Sequence, residues 1–238
     1  MQNTVLSLSL TDLTIALIPV LLVVGILFKW SLSAHHAIYA IARMATQLLL
    51  IGYLLTYIFH SDSAAIVLAI LAVMVFASSW IALSTLQAKR MALYKYALAA
   101  VAVGGGVSLI TATQGVLNLD PWYRPQYMVP LAGMIFANAM NSVSLAAERF
   151  AAEVERGCDY PQARNTALQA ALIPITNTLF AAGLVSFPGM MTGQILSGIS
   201  PLVAVRYQVM IMCMAFASSG ISAACFLVWG KGVFLRQR

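Results

Sequence analysis

The chain has 238 residues, of which 61% are hydrophobic and only 8% are charged, and its net charge is +6. Soluble domains carry roughly 25% charged residues, so this composition excludes an ordinary soluble protein. The mean hydropathy of +0.89 also excludes an ordinary soluble protein. The length leaves no room for a second soluble domain of normal size, so we expect one transmembrane domain over residues 1–238. Because the basic residues are spread over short loops, where they set membrane orientation, the positive charge does not indicate nucleic-acid binding.

Seven apolar stretches are long enough to cross a lipid bilayer, which takes about 20 residues per helix. They do not alternate apolar and polar residues as the strands of a membrane barrel do, so the sequence predicts an all-α polytopic protein. The stretches are Leu10–Phe28, Ile38–Phe59, Ala64–Leu86, Tyr96–Leu117, Tyr127–Ala147, Leu168–Phe187 and Tyr207–Trp229.

Lysine and arginine are distributed unevenly between the two sides that seven spans define. If the N-terminus is outside, the outer segments hold only Arg124 and Arg206, and the inner segments hold the other eleven of the 13 basic residues. Basic residues favour cytoplasmic loops, so we expect the N-terminus outside and the C-terminus in the cytoplasm. The inner residues are Lys29, Arg43, Lys89, Arg90, Lys95, Arg149, Arg156, Arg164, Lys231, Arg236 and Arg238.

One internal loop, residues 148–166, concentrates the charge and is expected to be cytoplasmic. An Ala-rich acidic segment, then Gly157, then an apolar entry with Pro174 is similar to the coupling loop through which ABC permeases contact their ATP-binding subunit. We expect the loop to form a short helix that docks on such a subunit. The residues assigned to this contact are Arg149, Glu153, Glu155, Arg156, Gly157 and Arg164. The alternative is a solvated helix with Glu–Arg pairs, which needs no partner.

The fifth predicted span carries polar residues where lipid favours leucine. Asn138, Asn141 and Ser142 share one face at helical spacing, and Glu148 lies at the inner end. Polar side chains in a span usually face other helices or a polar cavity. Two interpretations therefore stay open: hydrogen bonds between helices, or the lining of a path for a polar or ionic substrate. Asn177 in the sixth predicted span can face the same path.

Residues 186–201 are too rich in Gly and Pro for a regular helix and too apolar for a free loop. Irregular backbone at membrane depth is stable only where protein or a water-filled cavity satisfies it, so we expect a re-entrant or cavity-lining segment on the outer side. Its Met190, Met191 and Gln194 are assigned to the substrate path. Thioethers bind soft metal ions, although methionine also fills gaps in cores. The sequence does not define a set of metal ligands.

The sequence contains no catalytic motif of the HExxH or GxSxG type and no GxxxxGK[ST] phosphate-binding loop. The chain therefore cannot bind and hydrolyse ATP through a P-loop, and we expect no enzyme activity of its own. Lys231 lies past the last span, where a retinal Schiff-base lysine would not lie. This position counts against a seven-helix photoreceptor.

Three segments, 125–141, 144–149 and 187–198, closely resemble the Fet-type iron-export ABC permeases and are similar to plant aluminium-tolerance permeases. They read PQYMVPLAGMIFANAMN, SLAAER and FPGMMTGQILSG. The resemblance implies a permease of the bacterial cytoplasmic (inner) membrane that exports metal ions, often iron, and binds no cofactor itself. Two copies would pair with two separate subunits that hold ATP and Mg²⁺. The alternatives are an ABC permease for another small or amphipathic solute and a seven-helix sensor or receptor.

Overall fold

The structure is a computed structural model that describes residues 9–60 and 63–235. The chain divides into two compact units, residues 1–61 and 62–238. Every regular element of the described residues is a helix. Six of these helices are long and apolar enough to cross a membrane, namely Asp12–Lys29, Ala34–Phe59, Ala64–Ala82, Gln87–Val116, Pro125–Glu155 and Pro201–Trp229. The prediction of an all-α, multi-pass membrane protein is therefore confirmed.

The predicted sixth span, Leu168–Phe187, falls on a helix that runs over Tyr160–Ala181 and is not among those six. This helix carries Asn, Gln, Thr and Arg along its length, which makes it the least apolar of the long helices. The count of seven spans, the outer N-terminus and the inner C-terminus stay predictions. Two basic residues that support this orientation, Arg236 and Arg238, lie outside the described residues.

The first unit consists of α1 (Leu10–Ala16), α2 (Ile18–Lys29) and α3 (Ala34–Phe59). A capping box begins α1, because Asp12 N donates to Ser9 Oγ at 3.2 Å and Ser9 N donates to the Asp12 carboxylate at 2.8 Å. α2 has no buried residue, and α3 buries only Ala34. Apolar helices that expose most of their surface are typical of segments that contact lipid or other helices.

The second unit contains the remaining α-helices of the described residues. They are α4 (Ala64–Ala82), α5 (Arg90–Ile110), α6 (Pro125–Glu155), α7 (Tyr160–Ala181), α8 (Gly189–Leu196), α9 (Pro201–Trp229) and α10 (Lys231–Leu235). A π-helical turn, Thr111–Val116, follows α5. α9 packs against α5 and α6, α4 packs against α5 and α6, and α7 packs against α6 and α9. The core therefore lies where α5, α6 and α9 meet.

Small residues let α5 approach its neighbours closely. A Cβ atom at Gly104 would lie 2.7 Å from the backbone nitrogen of Ser222 on α9, and one at Gly105 would lie 2.5 Å from the Phe136 ring on α6. Both distances are too short for any side chain larger than hydrogen. Ser218 Oγ on α9 donates to Ile135 O on α6 at 3.2 Å, which joins two of these three helices. Close backbone approach through small residues and interhelical hydrogen bonds is the usual way in which membrane helices associate.

The prediction that residues 148–166 form a separate short helix is wrong. α6 continues without a break to Glu155, and α7 begins at Tyr160, so only residues 156–159 form a turn. The reason is that Ala146, Ala147, Phe150 and Ala151 are buried against the core. Packing of this apolar stripe extends the helix beyond the point where the charged residues begin.

The segment 186–201 is more regular than its composition indicates. It contains the eight-residue helix α8, between a turn with Gly183 at φ +81° and a turn with Gly198 at φ +88°. A Cβ atom placed on Gly189 or Gly193 would have no neighbouring atom within 4 Å, so these glycines do not mediate close helix packing. The placement of this segment as re-entrant or cavity-lining on the outer side stays a prediction.

Candidate coupling turn and polar helix faces

The turn between α6 and α7, residues 156–159, is a Schellman motif. Gly157 has φ +86°, its N–H donates to Val154 O at 3.1 Å, and Cys158 N donates to Glu153 O at 3.1 Å. A left-handed glycine and this pair of bonds are the usual end of an α-helix. Asp159 then begins α7, because its carboxylate accepts a hydrogen bond from Gln162 N at 3.0 Å. Local sequence chemistry therefore fixes the turn on both sides.

Glu153 is the centre of a charge network directly behind this turn. Its Oε1 atom lies 2.7 Å from Arg149 Nη2 and 3.2 Å from Arg156 Nη1. Its side chain is only 8% exposed, whereas the two arginine side chains are 42% and 64% exposed. A carboxylate that is removed from water needs such partners to stay charged. We therefore assign Glu153 to the structure of the turn.

Cys158 completes the network from the other side. Its Sγ donates to Glu153 Oε2 at 3.3 Å. The hydrogen bond to this carboxylate, together with desolvation, raises the pKa of the Cys158 thiol above its ordinary value. The thiol is thus a protonated donor at neutral pH, and its thiolate forms only at higher pH than in a free cysteine.

An aromatic cluster connects the turn to the end of α9. Phe150 packs edge-to-face on Tyr160 and on Phe234, with ring centroids 5.9 Å and 4.9 Å apart. Tyr160 Oη donates to Leu227 O on α9 at 3.4 Å, and Lys231 Nζ lies 4.1 Å from the centroid of the Tyr160 ring. These contacts attach the first residue of α7 to α9 and to the short helix α10.

The six residues assigned to coupling do not all reach the surface. Glu155, Arg156 and Gly157 are exposed at the turn. Arg164 is half-buried, donates to Asn165 Oδ1 at 3.0 Å, and lies 5.6 Å from the Tyr160 ring. With Arg149 and Glu153 held in the charge network, the exposed surface of the turn is formed by Glu155, Arg156, Gly157 and Asp159. Asp159 lies within the predicted loop 148–166 but was not among the residues assigned to the contact.

The polar face predicted on α6 divides into inward and outward residues. Asn138 is half-buried and donates to Met134 O at 2.8 Å, and Ser142 is buried with its Oγ 3.4 Å from Ala171 O on α7. Ser142 therefore fits the interpretation of hydrogen bonds between helices, whereas the Asn138 side chain bonds within α6 itself. Asn141 and Glu148, in contrast, are exposed. They lie seven residues apart, which is two turns, so both belong to one outward stripe of the helix.

α7 exposes a second polar stripe. Its buried residues, Ala163, Ala167, Ala171 and Ile175, recur at every fourth position and pack inward. The exposed residues at the same spacing are Asn165, Gln169, Ile173 and Asn177. Neighbouring helices α6 and α7 therefore both present amide side chains at the surface of the second unit. Lipid does not satisfy amides, so these stripes indicate contact with another helix or with water.

At the far end of α7, a cavity of about 460 Å³ opens beside α8 and α9. Met191 lines it, whereas Met190 packs against the core. Gln194 Oε1 is buried and has no hydrogen-bond donor. Sequence reasoning missed three other residues of the wall, Gln208, Met212 and Cys213 on α9. The spacing of Gln208 and Met212, one helical turn apart within an apolar span, was the available signal.

Carboxylates, imidazoles and thiols do not converge on a metal-binding arrangement in residues 9–60 and 63–235. No group of three or more His, Cys, Asp or Glu side chains in this part of the chain could hold a metal ion. The ligand atoms near the polar stripes and the cavity are the amide oxygens of Asn and Gln, the sulfur atoms of Met and Cys213, and the single Glu148 carboxylate.

Comparison with known proteins agrees with this architecture. A family model described as "Uncharacterised protein family (UPF0014)" matches residues 10–160 and 155–234. The chain is 34% identical over 200 residues to UPF0014 membrane protein slr1647 of Synechocystis, covering 78% of this chain and 77% of that protein. It is 32% identical over 244 residues to the "Probable iron export permease protein FetB" of Escherichia coli, covering 94% and 92% of the two chains.

A plant protein is similar over nearly the same region. The chain is 28% identical over 232 residues to "Protein ALUMINUM SENSITIVE 3" of Arabidopsis thaliana, covering 90% of this chain and 84% of that protein. These relatives confirm the resemblance carried by the three sequence segments. No solved structure matches the chain.

Proposed function

Because the chain belongs to the UPF0014 family of membrane permeases, we propose that it is the membrane subunit of an ATP-driven exporter of metal ions, with iron as the first candidate. The observation that carries the proposal is the exposed turn at residues 156–159, held in one shape by the Glu153 network and attached to α9 through Tyr160. A surface of this kind can receive a displacement from a partner and pass it to two membrane helices together.

The partner proposed at the turn is a separate ATP-binding subunit, which supplies ATP and Mg²⁺. The exposed side chains of the turn carry both signs of charge, with Glu155 and Asp159 beside Arg156. Charged side chains of both signs at the edge of an interface set the register and the specificity of binding more than its affinity. This property suits a contact with the ATP-binding subunit that must adjust during each cycle of ATP hydrolysis. In this proposal the turn lies on the cytoplasmic side of a bacterial cytoplasmic membrane.

A second copy of the chain is proposed to complete the substrate path. The exposed amides on α6 and α7, Asn141 and Asn177, are unfavourable against lipid. A two-fold related copy would place the same stripes opposite each other and enclose them. Glu148, on the same stripe as Asn141 and closer to the turn, would attract a cation to the entrance. The amide oxygens would then replace part of its water shell during passage.

Reconstitution with the ATP-binding subunit tests the proposal. The chain is co-expressed with a candidate ATP-binding subunit from the same organism, and the complex is purified and placed in lipid nanodiscs. We expect co-purification and stimulation of ATP hydrolysis by Fe(II). Stimulation by lipophilic compounds and not by metals would support the alternative permease for an amphipathic solute. If the two chains do not associate, the permease role itself is wrong.

Variants of the α6 stripe test the path. Asn141→Leu should keep co-purification and basal ATP hydrolysis but remove most of the metal stimulation, because an amide oxygen is lost from the path. Ala137→Leu is the matched control, since Ala137 is exposed one turn earlier on the same helix and carries no ligand atom. An equal loss of metal stimulation in both variants would show that the shape of this α6 face matters and that the Asn141 amide oxygen does not.

A further inference from the structure

The cavity at the far end of α7 is bordered by three helices and has no role in the coupling turn. Its volume is about 460 Å³, and its wall is mostly apolar. Its polar and sulfur-bearing lining residues are Met191, Gln208, Met212 and Cys213. Cavities of this size with a few polar or polarizable groups are the usual form of small-ligand sites.

Sulfur atoms are concentrated on this wall. Met191 comes from α8, and Met212 and Cys213 come from consecutive positions of α9. A methionine that only fills a gap in a core is buried, as Met210 is at 9% exposure. Met191 and Met212 are only half-buried, and Cys213 is exposed, so these three residues border open volume. Thioether and thiolate sulfur are ligands that select soft cations.

An unsatisfied oxygen lies on the same wall. Gln208 is 7% exposed, lines the cavity, and its Oε1 has no hydrogen-bond donor. Gln194 Oε1 on α8 is also buried without a donor. A buried amide oxygen is unfavourable unless a donor or a cation satisfies it. The sulfur atoms and the unsatisfied Gln208 oxygen could therefore both be ligands of a bound cation.

We propose that this cavity binds a soft monovalent cation of the Cu(I) or Ag(I) class through Met191, Met212 and Cys213, with the Gln208 amide oxygen as a further contact. Binding to Cys213 releases the thiol proton to water, so affinity rises with pH. Fe(II), an intermediate ion, binds here more weakly, and Fe(III), a hard ion, does not bind. The site goes beyond the proposed function, in which iron is the first candidate, because it adds a second ion class that this cavity would select. It rests on that function only for the role of the ion as cargo.

Silver titration of the isolated chain tests the site without the ATPase. The protein is purified in chloride-free detergent buffer with Cys158→Ser and Cys225→Ser, which removes the other thiols, and Ag(I) binding is followed by calorimetry. We expect one tight site. Met191→Leu/Met212→Leu should weaken it by at least about tenfold, since each substitution removes a ligand but keeps an apolar side chain of similar volume. Cys213→Ser should also weaken it and remove its pH dependence.

Met210→Leu/Met214→Leu is the matched control, because both residues lie on α9 but line a narrow void beside Ile135 and not the cavity. We expect its Ag(I) affinity to be unchanged. Equal unfolding temperatures of the two double variants establish that a loss of binding is not a loss of fold. The site is wrong if the parent protein binds no Ag(I), or if the control loses as much affinity as the cavity variant. Either result leaves co-purification and ATP hydrolysis of the complex unaffected, so the proposed function is judged separately.

Discussion

The two ends of α7 are held in different ways. At its first residue, Tyr160 bonds to α9, packs edge-to-face on Phe150, and follows a turn closed by the Glu153 network. At its last residue, the chain turns at Gly183 through backbone hydrogen bonds, and Leu184 and Val185 are 88% and 84% exposed. Side-chain chemistry therefore fixes one end, whereas backbone geometry alone shapes the other.

This difference matches the two tasks that the proposed function requires. A surface that receives force must keep its shape while it moves, and buried aromatic and charged contacts give it that property. A segment beside a cavity must let an ion enter and leave, which extensive side-chain packing would prevent. Regions with few buried contacts are also the ones that open most readily. The far end of α7 is thus suited to local rearrangement.

The largest contrast should come from removing one phenyl ring at each end. Phe150 is fully buried in the aromatic cluster, and Phe180, in the last turn of α7, is 78% exposed. Phe150→Ala should destabilise the protein by about 3–5 kcal/mol, because it leaves a cavity in a packed core. Phe180→Ala should change stability by less than about 1 kcal/mol. Thermal unfolding in detergent measures both, and similar losses would remove the distinction between the two ends.

The acidic residues of the turn should separate structure from docking. Glu153→Gln leaves Arg149 and Arg156 without their shared carboxylate and should cost about 2 kcal/mol, a value reduced by the exposure of both arginines. Glu155→Gln should leave stability unchanged, because this residue is exposed. Co-purification with the ATPase should show the reverse order. Per unit of folded protein, the charge reversal Glu155→Lys should retain less ATPase than Glu153→Gln. A Glu153→Gln variant as stable as the parent would show that the network does not hold the turn.

Two glycines test the backbone part of the comparison. Gly157→Ala places a side chain at φ +86° and should cost about 1 kcal/mol, since only glycine adopts this conformation without strain. Gly193→Ala, in the middle of α8 and with open space around it, should be neutral or slightly stabilising. Unfolding temperatures measured side by side give the order of the two effects.

The smallest effect concerns the reactivity of Cys158. Because its hydrogen bond to Glu153 raises the pKa of the thiol, maleimide labelling should be slow at neutral pH and should increase at higher pH than for a free cysteine. The stability contributed by that bond is present at neutral pH and is lost as pH rises through the raised pKa. Glu153→Gln should move the labelling profile to lower pH. Labelling that occurs only from the external side of intact cells would contradict the predicted orientation.

The class of fold was readable from sequence, because repeated runs of about 20 apolar residues are typical of membrane-spanning helices and rare elsewhere. The residue at which α6 ends could not be predicted from the sequence, because the charge near Glu148 resembles the start of a loop. In the structure, the burial of Phe150 and Ala151 keeps the helix intact beyond that point. Helical spacing placed Asn141 and Ser142 on one face, but only tertiary contacts show that Ser142 faces α7 and Asn141 faces outward. The cavity wall could be predicted only in part, because Met191 was assigned to the substrate path from sequence, whereas only tertiary contacts bring Met212 and Cys213 of α9 beside it.

The central claim is that the turn at residues 156–159, and not the far end of α7, contacts the ATP-binding subunit. Single-cysteine cross-linking tests it most directly, with Glu155→Cys and Val185→Cys placed separately in a background of Cys158→Ser, Cys213→Ser and Cys225→Ser. Both positions are exposed, so the reagent reaches each of them. We expect a cross-link to the ATPase from position 155 and none from position 185. A cross-link from position 185, or none from position 155 in a complex that still co-purifies, would contradict the claim.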